Sequence, residues 1–298
     1  MRINFKKILP RNIRGKLMYG LSFLPDEPYV KLFYFSVSGQ WMDLKNPKGF
    51  NEKQNWLKIH DRHPEYTQLV DKYAVRSHID KVLGKGHLFP LLGKWKSFDE
   101  IDFNKLPDSF VLKCNHDSGS TTIVKDKHSL TELDLKKMKK KFDTRIKEDF
   151  FYAGREYPCK NIKNRYIIAE KLMEDIDNPG KSIEDYKFFC FDGVPKVMFI
   201  ATDRATDCRF DFFDMDFNHL DIENLHPNAD CPIPKPELFE EMKDIAAKLS
   251  EGIKFVRIDL YQLNGTVYFG EYTFFHGGGF APFYPEKWER QLGNWIKI

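Results

Sequence analysis

The sequence is poor in cysteine, and no two cysteines form a Cys-x-x-Cys pair. Cys114, Cys159, Cys190, Cys208 and Cys231 are odd in number and widely spaced. This pattern predicts neither a zinc site nor a disulfide framework. Reduced thiols are typical of the cytoplasm, and we therefore expect a cytoplasmic protein.

Long apolar runs are also absent. No segment approaches the ~20 apolar residues that a membrane-spanning helix needs, and the N-terminus lacks the sustained apolar core of a signal peptide. Charge of one sign is not in excess either, because the net charge is only +3. This balance argues against a chain that binds polyanions as a whole, so nucleic acid is not an expected partner.

Apolar and aromatic side chains are plentiful. Of the 298 residues, 42% are hydrophobic and 15% are aromatic. This supply is ample for a buried core, and the length predicts one large or two modest domains.

The first 25 residues are locally basic. Six cations precede the first acid, Asp26, and apolar residues lie between them. Such a segment can make a weak peripheral contact with an anionic membrane surface, here the inner face of the membrane. The alternative is a solvated helix that docks on the body of the protein, and we favour it. The six cations are Arg2, Lys6, Lys7, Arg11, Arg14 and Lys16.

Several stretches carry helix signals. Asn51 with Gln54 three residues later resembles a capping box, and so does Ser129 with Glu132. Residues 66–83 are typical of one continuous helix with an apolar stripe. The lysine-rich stretch after Glu132 is interpreted as a solvated helix face.

The most informative pattern lies in residues 255–275, which read as two β-strands joined by an Asn-Gly turn. Both residues of a type I′ turn must tolerate positive φ, and Asn-Gly does so. Asp259 precedes the turn by five residues and Glu271 follows it by six. A regular hairpin therefore places the two acids near-opposite on adjacent strands. Arg257 is two residues from Asp259, so it projects to the same face.

Two carboxylates at that spacing repel unless a cation lies between them. Oxygen ligands suit a hard ion such as Mg²⁺. A cation, two acids and a metal on one sheet face are what phosphoryl chemistry needs. The alternative is a pair of edge-strand acids that face water, but the apolar flanking residues favour the metal site.

A second informative stretch spans residues 109–124. An apolar strand runs into Lys113, and a small polar loop with Asn115, Ser118, Gly119 and Ser120 follows. Backbone N–H groups of such a loop can cradle phosphate, and the lysine can neutralise it. The loop is not a Walker A sequence. A plain hairpin with a surface lysine explains it equally well.

Two further strands carry charged side chains. Residues 166–173 read as a buried strand with one acid, Glu170. Residues 185–200 read as a hairpin whose first strand alternates Asp185 and Lys187 onto one face. Arg204 follows this hairpin.

Taken together, these pieces resemble the ATP-grasp superfamily. They are most similar to its TupA-like branch, which is typified by the teichuronopeptide-biosynthesis protein. The order and spacing of the matching phrases carry the resemblance from about Asp43 onward. The phrases are NPKGFNEKQNWLK (46–58), DKYAVR (71–76), LPDSFVLKCNHDSG (106–119), EDYKFFCFDG (184–193) and VRIDLY with YFGEYTFFHGGGF (256–280).

The resemblance implies an α+β fold of two ATP-grasp lobes whose antiparallel sheets enclose ATP. We expect a basic helical N-terminal segment at residues 1–70, which stands where the family has a fuller α/β domain. The first lobe is expected at residues 71–176. The second lobe, with the metal-binding hairpin, is expected at residues 177–298.

The resemblance also implies roles for individual residues. Lys113 resembles the lysine that binds the phosphates of ATP, and the polar loop after it resembles the loop that covers them. Arg257, Asp259 and Glu271 resemble the arginine and the two Mg²⁺ ligands of the last hairpin. Thr273 stands where many members have an asparagine ligand. The remaining expected residues are Glu170, Lys171 and Leu172 at the hinge that meets adenine, Asp185 at the ribose, and Lys187 and Arg204 as catalytic cations.

The implied reaction is carboxylate–amine ligation. The γ-phosphate of ATP goes to a carboxylate to give an acylphosphate, and an amine then displaces phosphate to give an amide. The branch is associated with bacterial surface polysaccharides. A uronic acid or amino acid on a glycan is therefore the expected carboxylate, with an amine as its partner.

Three alternatives stay open. One is a metal-dependent glycosyltransferase, because Asp214-Met215-Asp216 is an Asp-x-Asp triplet of the kind that holds a metal and a nucleotide-sugar diphosphate. Another is a sugar kinase with the same ATP site and a hydroxyl acceptor. The third is a catalytically silent assembly protein that binds nucleotide.

Overall fold

The computed structural model describes residues 19–176, 180, 183–202 and 207–298. The basic segment from Arg2 to Lys16 and the expected catalytic residue Arg204 lie outside the described residues. No helix in the described part of the chain is both long and apolar enough to span a membrane.

The chain forms short helices and antiparallel strands in mixed order, as the α+β prediction requires. The α-helices are α1 (Asp26–Ser38), α2 (Phe50–His60), α3 (Tyr66–Val70), α4 (Val75–Leu83), α5 (Glu132–Arg145), α6 (Phe151–Gly154), α7 (Tyr157–Lys160), α8 (Phe239–Ser250) and α9 (Glu286–Trp295). The strands are β1 (Leu91–Trp95), β2 (Phe110–Cys114), β3 (Thr122–Val124), β4 (Ile167–Lys171), β5 (Asp185–Phe191), β6 (Val194–Thr202), β7 (Arg209–Asp214), β8 (His219–Leu220), β9 (Phe255–Leu263) and β10 (Thr266–Thr273). Single 3₁₀ turns lie at Phe98–Glu100, Phe103–Lys105, Lys127–Ser129 and His276–Gly279.

The described residues divide into two compact units. The larger unit contains residues 19–62, 151–157, 183–202 and 207–298, and the smaller unit contains residues 63–150, 158–176 and 180. Each unit holds one antiparallel sheet, which confirms the α+β class. The predicted domain boundaries at residues 70 and 176 stay a prediction.

The smaller unit is built on a sheet with the strand order β1-β4-β2-β3. Strand β2 alternates buried and half-buried residues, so that Phe110 and Leu112 point to one face. Met138 and Phe142 of α5 join them in one apolar cluster. Such period-2 alternation packs one face of the sheet on the helix and leaves Val111 and Lys113 on the other.

The larger unit is built on a sheet with the order β10-β9-β5-β6-β7-β8. Helix α8 packs on one face, where Phe239 lies 6.1 Å from the ring of Phe188. Phe50 of α2 lies on the other face, with its ring 6.0 Å from that of Phe189 and 5.0 Å from that of Phe255. Coverage of both faces explains why every residue of β5 is buried.

Two hairpins of this sheet turn at Asn-Gly and Asp-Gly dipeptides, and they confirm the hairpins predicted at residues 255–275 and 185–200. Asn264 and Gly265 have φ values of 50° and 72°, and Asp192 and Gly193 have φ values of 49° and 79°. Positive φ at both central residues is the requirement that selects these dipeptides.

The prediction of one continuous helix over residues 66–83 is wrong. The chain leaves the helical conformation at Asp71, whose φ and ψ are −78° and 109°. The Asp71 carboxylate accepts hydrogen bonds from the backbone N–H groups of Tyr73 and Ala74, at 2.8 and 3.1 Å. This local turn starts α4 afresh, and aspartate favours it because its short side chain competes with the helical ladder.

Both predicted capping boxes are also wrong. Helix α2 begins after Gly49, and the Glu52 carboxylate accepts the backbone N–H of Gly49 at 3.0 Å. Asn51 and Gln54 are instead fully buried. Helix α5 begins after Thr131, whose hydroxyl accepts the backbone N–H of Asp134 at 3.2 Å. In each case a polar residue near the true cap produced the same sequence signal.

Candidate active site

The last hairpin brings the predicted acids directly opposite each other. Asp259 of β9 pairs with Glu271 of β10, and Arg257 pairs with Thr273. All four side chains therefore share one face of the sheet, which confirms the predicted placement of Arg257, Asp259 and Glu271.

This pairing depends on a β-bulge at Gly270. The register shifts by one residue between Phe269 and Glu271. If the strands paired regularly, without the bulge, Glu271 would oppose Ile258 and point to the face that packs on α8. A Cβ at Gly270 would lie 2.9 Å from the backbone oxygen of Asp259 and from a ring carbon of Tyr261. Only glycine fits the bulge as it stands.

Asp259 is the centre of a buried ion cluster. Its two carboxylate oxygens accept from Arg257 Nε and Nη2 at 2.6 and 2.7 Å, and Lys187 Nζ donates to Oδ2 as well. Lys187 Nζ also lies 2.8 Å from Asp185 Oδ2. Burial raises the pKa of Asp259, but Arg257 and Lys187 outweigh it and hold that pKa below its ordinary value. Asp259 is therefore ionised at neutral pH.

Glu271 and Thr273 complete an oxygen-rich face. The Glu271 side chain is 39% exposed and lies 3.7 Å from Arg257 Nη2. The Thr273 hydroxyl accepts from the same nitrogen at 3.0 Å. Among the described residues, no three His, Cys, Asp or Glu side chains are grouped to hold a metal. Two carboxylates and a hydroxyl still fit Mg²⁺, which keeps several ligands from water and phosphate.

Arg257 has a further partner that the sequence did not indicate. His276 Nδ1 lies 2.8 Å from Arg257 Nη1, and the ring is buried. Burial and the neighbouring guanidinium hold the pKa of His276 well below its ordinary value. His276 lies in the last phrase that resembles the TupA-like branch, but no local pattern in the sequence indicates this contact.

A buried lysine lies in the same unit. Lys58 Nζ donates to the backbone oxygen of Gly278 at 2.6 Å and to Asn55 Oδ1 at 3.0 Å, and it lies 4.3 Å from the ring centre of Phe280. Burial lowers the pKa of Lys58 to about 7, although Glu156 opposes the shift. Burial likewise raises the pKa of Glu156, whose carboxylate also interacts with Glu271 and Arg257. The sequence reading missed both residues.

In the smaller unit, Lys113 has a defined counter-ion. Lys113 Nζ lies 2.6 Å from Glu170 Oε2, and Arg76 Nη1 lies 3.2 Å from Glu170 Oε1. Glu170 pairs with Val111 on the neighbouring strand, so it shares a face with Lys113. The Glu170 carboxylate thus bridges Lys113 and Arg76. Lys171 ends the strand with an exposed side chain, and Leu172 follows it.

The polar loop after Lys113 is held mainly by its own side chains. Asn115 is buried and donates to Asp71 Oδ2 at 2.9 Å, and its Oδ1 accepts the backbone N–H of Tyr166 at 2.7 Å. The Ser120 hydroxyl accepts the backbone N–H of Cys114 at 2.8 Å. These two side chains shape the loop. Ser118 and Gly119 are exposed at its tip, where Gly119 has a φ of 96°.

Two cations bind this loop, and the sequence analysis did not identify either of them. Arg145 Nε lies 2.8 Å from Asp117 Oδ2, and its Nη2 donates to the backbone oxygen of Ser118 at 2.5 Å. Lys72 Nζ donates to the backbone oxygen of Asp117 at 2.5 Å. Arg145 is the last residue of the lysine-rich helix α5, whose charged face was interpreted as solvated. In the sequence, only its position after the lysines sets it apart from them.

The Asp-x-Asp triplet of the glycosyltransferase alternative forms a turn. The Asp214 carboxylate accepts the backbone N–H groups of Asp216 and Asn218, at 3.0 and 2.8 Å, and the Asn218 amide at 2.9 Å. An aspartate that closes its own turn in this way has a sufficient structural reason to be there.

The structure thus gathers the predicted residues into two groups, one in each unit. The larger unit holds Asp185, Lys187, Arg257, Asp259, Glu271 and Thr273, and the smaller unit holds Lys113, Glu170 and the polar loop. The roles assigned to them stay predictions.

Several solved structures are similar to this chain at low sequence identity. D-alanine–D-alanine ligase from Bacillus anthracis complexed with ATP is 16% identical, with 69% of this chain and 53% of that chain covered and a TM-score of 0.40. The ATP-grasp ligase PsnB complexed with minimal precursor, Mg and ADP is 12% identical, with 71% and 52% covered and a TM-score of 0.37. D-alanyl-alanine synthetase A from Vibrio cholerae is 11% identical, with 76% and 65% covered and a TM-score of 0.40.

The chain therefore spans about half the length of the first two of these enzymes. No curated protein matches its sequence. A family model described as TupA-like ATPgrasp, in contrast, matches residues 52–297. This match covers most of the chain and includes every residue of both groups. The chain belongs to the TupA-like ATP-grasp family.

Proposed function

We propose that the protein is an ATP- and Mg²⁺-dependent ligase that joins a carboxylate to an amine through an acylphosphate. The observation that supports this proposal most is the pairing of Asp259 with Glu271 on one sheet face, with Arg257 between the two carboxylates. Family membership supports the reaction class.

In this proposal, the larger unit supplies the phosphoryl-transfer groups. Asp259 and Glu271 would hold Mg²⁺, with Thr273 as a neutral oxygen donor beside them. Mg²⁺ supplies charge neutralisation on phosphate oxygens. Arg257 would stabilise negative charge that develops on the transferred phosphoryl group, and Lys187 would hold Asp259 ionised and in place. Arg204 keeps its proposed catalytic role, and Asp185 its proposed contact with the ribose.

The smaller unit supplies the nucleotide contacts. Lys113 would bind phosphates of ATP, and Ser118 and Gly119 would approach them through backbone N–H groups. Asn115 and Ser120 would hold that loop in shape. Glu170 would orient Lys113, while the backbone of Lys171 and Leu172 would meet adenine.

The overall reaction balances in two steps. A substrate carboxylate oxygen forms a bond to the γ-phosphorus while the bond to the ADP oxygen breaks. The amine nitrogen then attacks the acyl carbon, the phosphate leaves with its bridging oxygen, and the nitrogen loses a proton. The products are an amide, ADP and phosphate.

We also propose the substrate class and location. A uronic acid or amino acid of a bacterial surface polysaccharide, such as a capsule or other cell-envelope glycan, is the proposed carboxylate. The protein is proposed to act in the cytoplasm, with a weak peripheral contact at the inner membrane face. Tyr19 and Phe23 support such a contact, because these large apolar side chains are 65% and 78% exposed and follow the basic segment directly in the sequence.

The test combines calorimetry of Mg-ATP binding with an ADP-release assay across uronic acids, amino acids and amines. We expect ADP release to need both a carboxylate and an amine. ADP release with a sugar alcohol alone would indicate a kinase, and UDP release from UDP-sugars would indicate a glycosyltransferase. Nucleotide binding without any turnover would indicate a silent assembly protein.

The matched variants are Glu271→Gln and Asp214→Asn. Both remove one exposed or half-exposed carboxylate from the larger unit. Only Glu271→Gln should abolish turnover, because Asp214 closes a turn. Loss of turnover in Asp214→Asn alone would transfer the metal site to the Asp-x-Asp triplet. Removal of residues 1–25 should reduce salt-sensitive binding to anionic liposomes, and unchanged binding would refute the membrane contact.

A further inference from the structure

A chain of polar contacts holds Arg257 from the side away from Asp259. Arg257 Nη1 lies 2.8 Å from His276 Nδ1, and His276 Nε2 lies 2.7 Å from Asn224 Oδ1. The backbone N–H of His276 donates to Gln54 Oε1 at 2.7 Å. His276 is only 1% exposed. His276 is therefore a fixed part of the interior, bonded through Nδ1, Nε2 and its backbone N–H.

These contacts decide where the imidazole proton lies. A guanidinium offers only donors, so His276 Nδ1 must accept. The Asn224 amide nitrogen donates to the backbone oxygens of Ala281 and Pro282, at 2.9 and 3.2 Å. Its oxygen therefore faces the imidazole as an acceptor, and His276 Nε2 must carry the hydrogen. The ring is neutral and in the Nε2–H tautomer.

The surroundings favour this neutral form. The charged groups that face the ring are Arg257, Asp259 and Lys187, two cations and one anion. Aromatic rings surround the rest, with centroids at 5.0 Å for Phe189 and 5.7 Å for both Phe199 and Phe283. A proton on Nδ1 would place two cationic donors against each other in a buried site.

We propose that neutral His276 is a positioning residue that aims the Arg257 guanidinium at Asp259, Thr273 and Glu271. Its Nδ1 lone pair fixes the rotation of the guanidinium, so that Nε and Nη2 meet the Asp259 carboxylate edge-on. Asn224 fixes the imidazole in turn, and Gln54 fixes the backbone of His276. The effect on turnover rests on the proposed function of Arg257, whereas the tautomer and the fixed guanidinium do not.

The direct test is nitrogen NMR on protein labelled with ¹⁵N-histidine, with the His276 signals assigned by their loss in His276→Gln. We expect the neutral Nε2–H pattern to persist from pH 8 to pH 5.5. An imidazolium pattern in this range, or the Nδ1–H tautomer, would overturn the proposal.

Two substitutions separate positioning from mere packing. His276→Asn keeps an acceptor near the position of Nδ1, whereas His276→Gln keeps a polar group near Nε2 and leaves Arg257 Nη1 without its acceptor. We expect His276→Gln to lose about 10- to 100-fold in turnover, as for one hydrogen bond to a charged group, and His276→Asn to retain most of it. Equal activity of the two variants would overturn the proposal.

A second readout does not need activity. In ¹⁵N-arginine-labelled protein, the Arg257 Nη signals should be resolved by hindered rotation in the wild type and in His276→Asn, and averaged in His276→Gln. Averaged signals in the wild type would overturn the positioning role. If the wild type shows no turnover with any substrate but keeps the tautomer and the resolved signals, only the proposed function fails.

Discussion

Asp259 combines a buried structural role with its proposed role at the metal. Its carboxylate is 1% exposed and neutralises both Arg257 and Lys187, whereas the Glu271 side chain is 39% exposed. Removal of the Asp259 charge would leave the buried charge of its partners without compensation, so this acid also supports the fold.

We therefore expect Asp259→Asn to abolish turnover and to lower the free energy of unfolding by about 3 kcal/mol. Glu271→Gln should abolish turnover with a loss below about 1 kcal/mol, since its charge is half exposed. Denaturant unfolding and ADP release on the same preparations check both. An active Glu271→Gln, or an equally stable Asp259→Asn, would contradict the assignment.

His276 predicts a specific pH dependence of stability. Its pKa in the folded protein lies well below the ordinary value of 6.5, so the unfolded chain binds the proton more readily. The stabilisation is therefore complete above pH ~6.5 and is lost as the pH falls towards the folded pKa. The slope contributed by this single group is at most about 1.4 kcal/mol per pH unit.

The measurement compares unfolding free energies from pH 7.5 to pH 5. The unfolding free energy of His276→Asn should fall less steeply with decreasing pH than that of the wild type. The control is His128→Asn, because the His128 side chain is 70% exposed. If the unfolding free energy of His276→Asn fell as steeply as that of the wild type, other groups would cause the loss of stability at acid pH.

Lys113 tests the nucleotide contacts at the same scale. We expect Lys113→Ala to weaken Mg-ATP binding by about 10- to 100-fold, the value of a hydrogen bond between charged groups. Glu170 keeps Arg76 as a counter-ion, so the variant should fold. Lys125→Ala, one residue beyond β3, is the control and should bind normally. Equal calorimetric affinities would remove Lys113 from the site.

At the scale of elements, the bulge in β10 decides which side chains reach the site face. Gly270→Ala would push a methyl against the backbone of Asp259 and the ring of Tyr261. We expect a loss of about 1–3 kcal/mol in stability and a larger fractional loss of turnover, because Glu271 moves out of register.

Gly20→Ala is the matched control, since an added Cβ there meets no atom of the described residues within 4 Å. Unfolding curves and ADP release on the same samples check the prediction. A fully active Gly270→Ala would show that the register can absorb the change, and that the bulge does not determine the position of Glu271.

The sequence predicted this hairpin well because its signals are local. An Asn-Gly dipeptide with both φ values positive leaves few alternatives, and period-2 alternation puts Arg257 with Asp259. The expected regular pairing was near the truth, but the bulge was not anticipated. A lone glycine in a strand does not show whether it marks a bulge or a close contact.

The helix starts were harder to predict because several polar residues compete for each cap. Asn51 and Gln54 fit the pattern of a cap, yet tertiary contacts bury them. Asn51 donates to the backbone oxygen of Ala281 at 3.0 Å, and Gln54 accepts from His276. Partners more than 200 residues away in the sequence decide these roles. Local patterns cannot contain that information.

At the scale of the whole molecule, the family resemblance identified the α+β class and most charged residues of both groups. The network around them came only from the structure. His276, Lys58, Arg145 and Lys72 each act through contacts with other elements, and their neighbours in sequence give no sign of this.

The central claim is that the protein activates a carboxylate as an acylphosphate. Hydroxylamine trapping tests it most directly, with the carboxylate that supports ADP release and with the amine omitted. The account predicts a hydroxamate of that carboxylate, formed in proportion to ADP and absent with Glu271→Gln. Stoichiometric ADP with a phosphorylated hydroxyl product and no hydroxamate would contradict it.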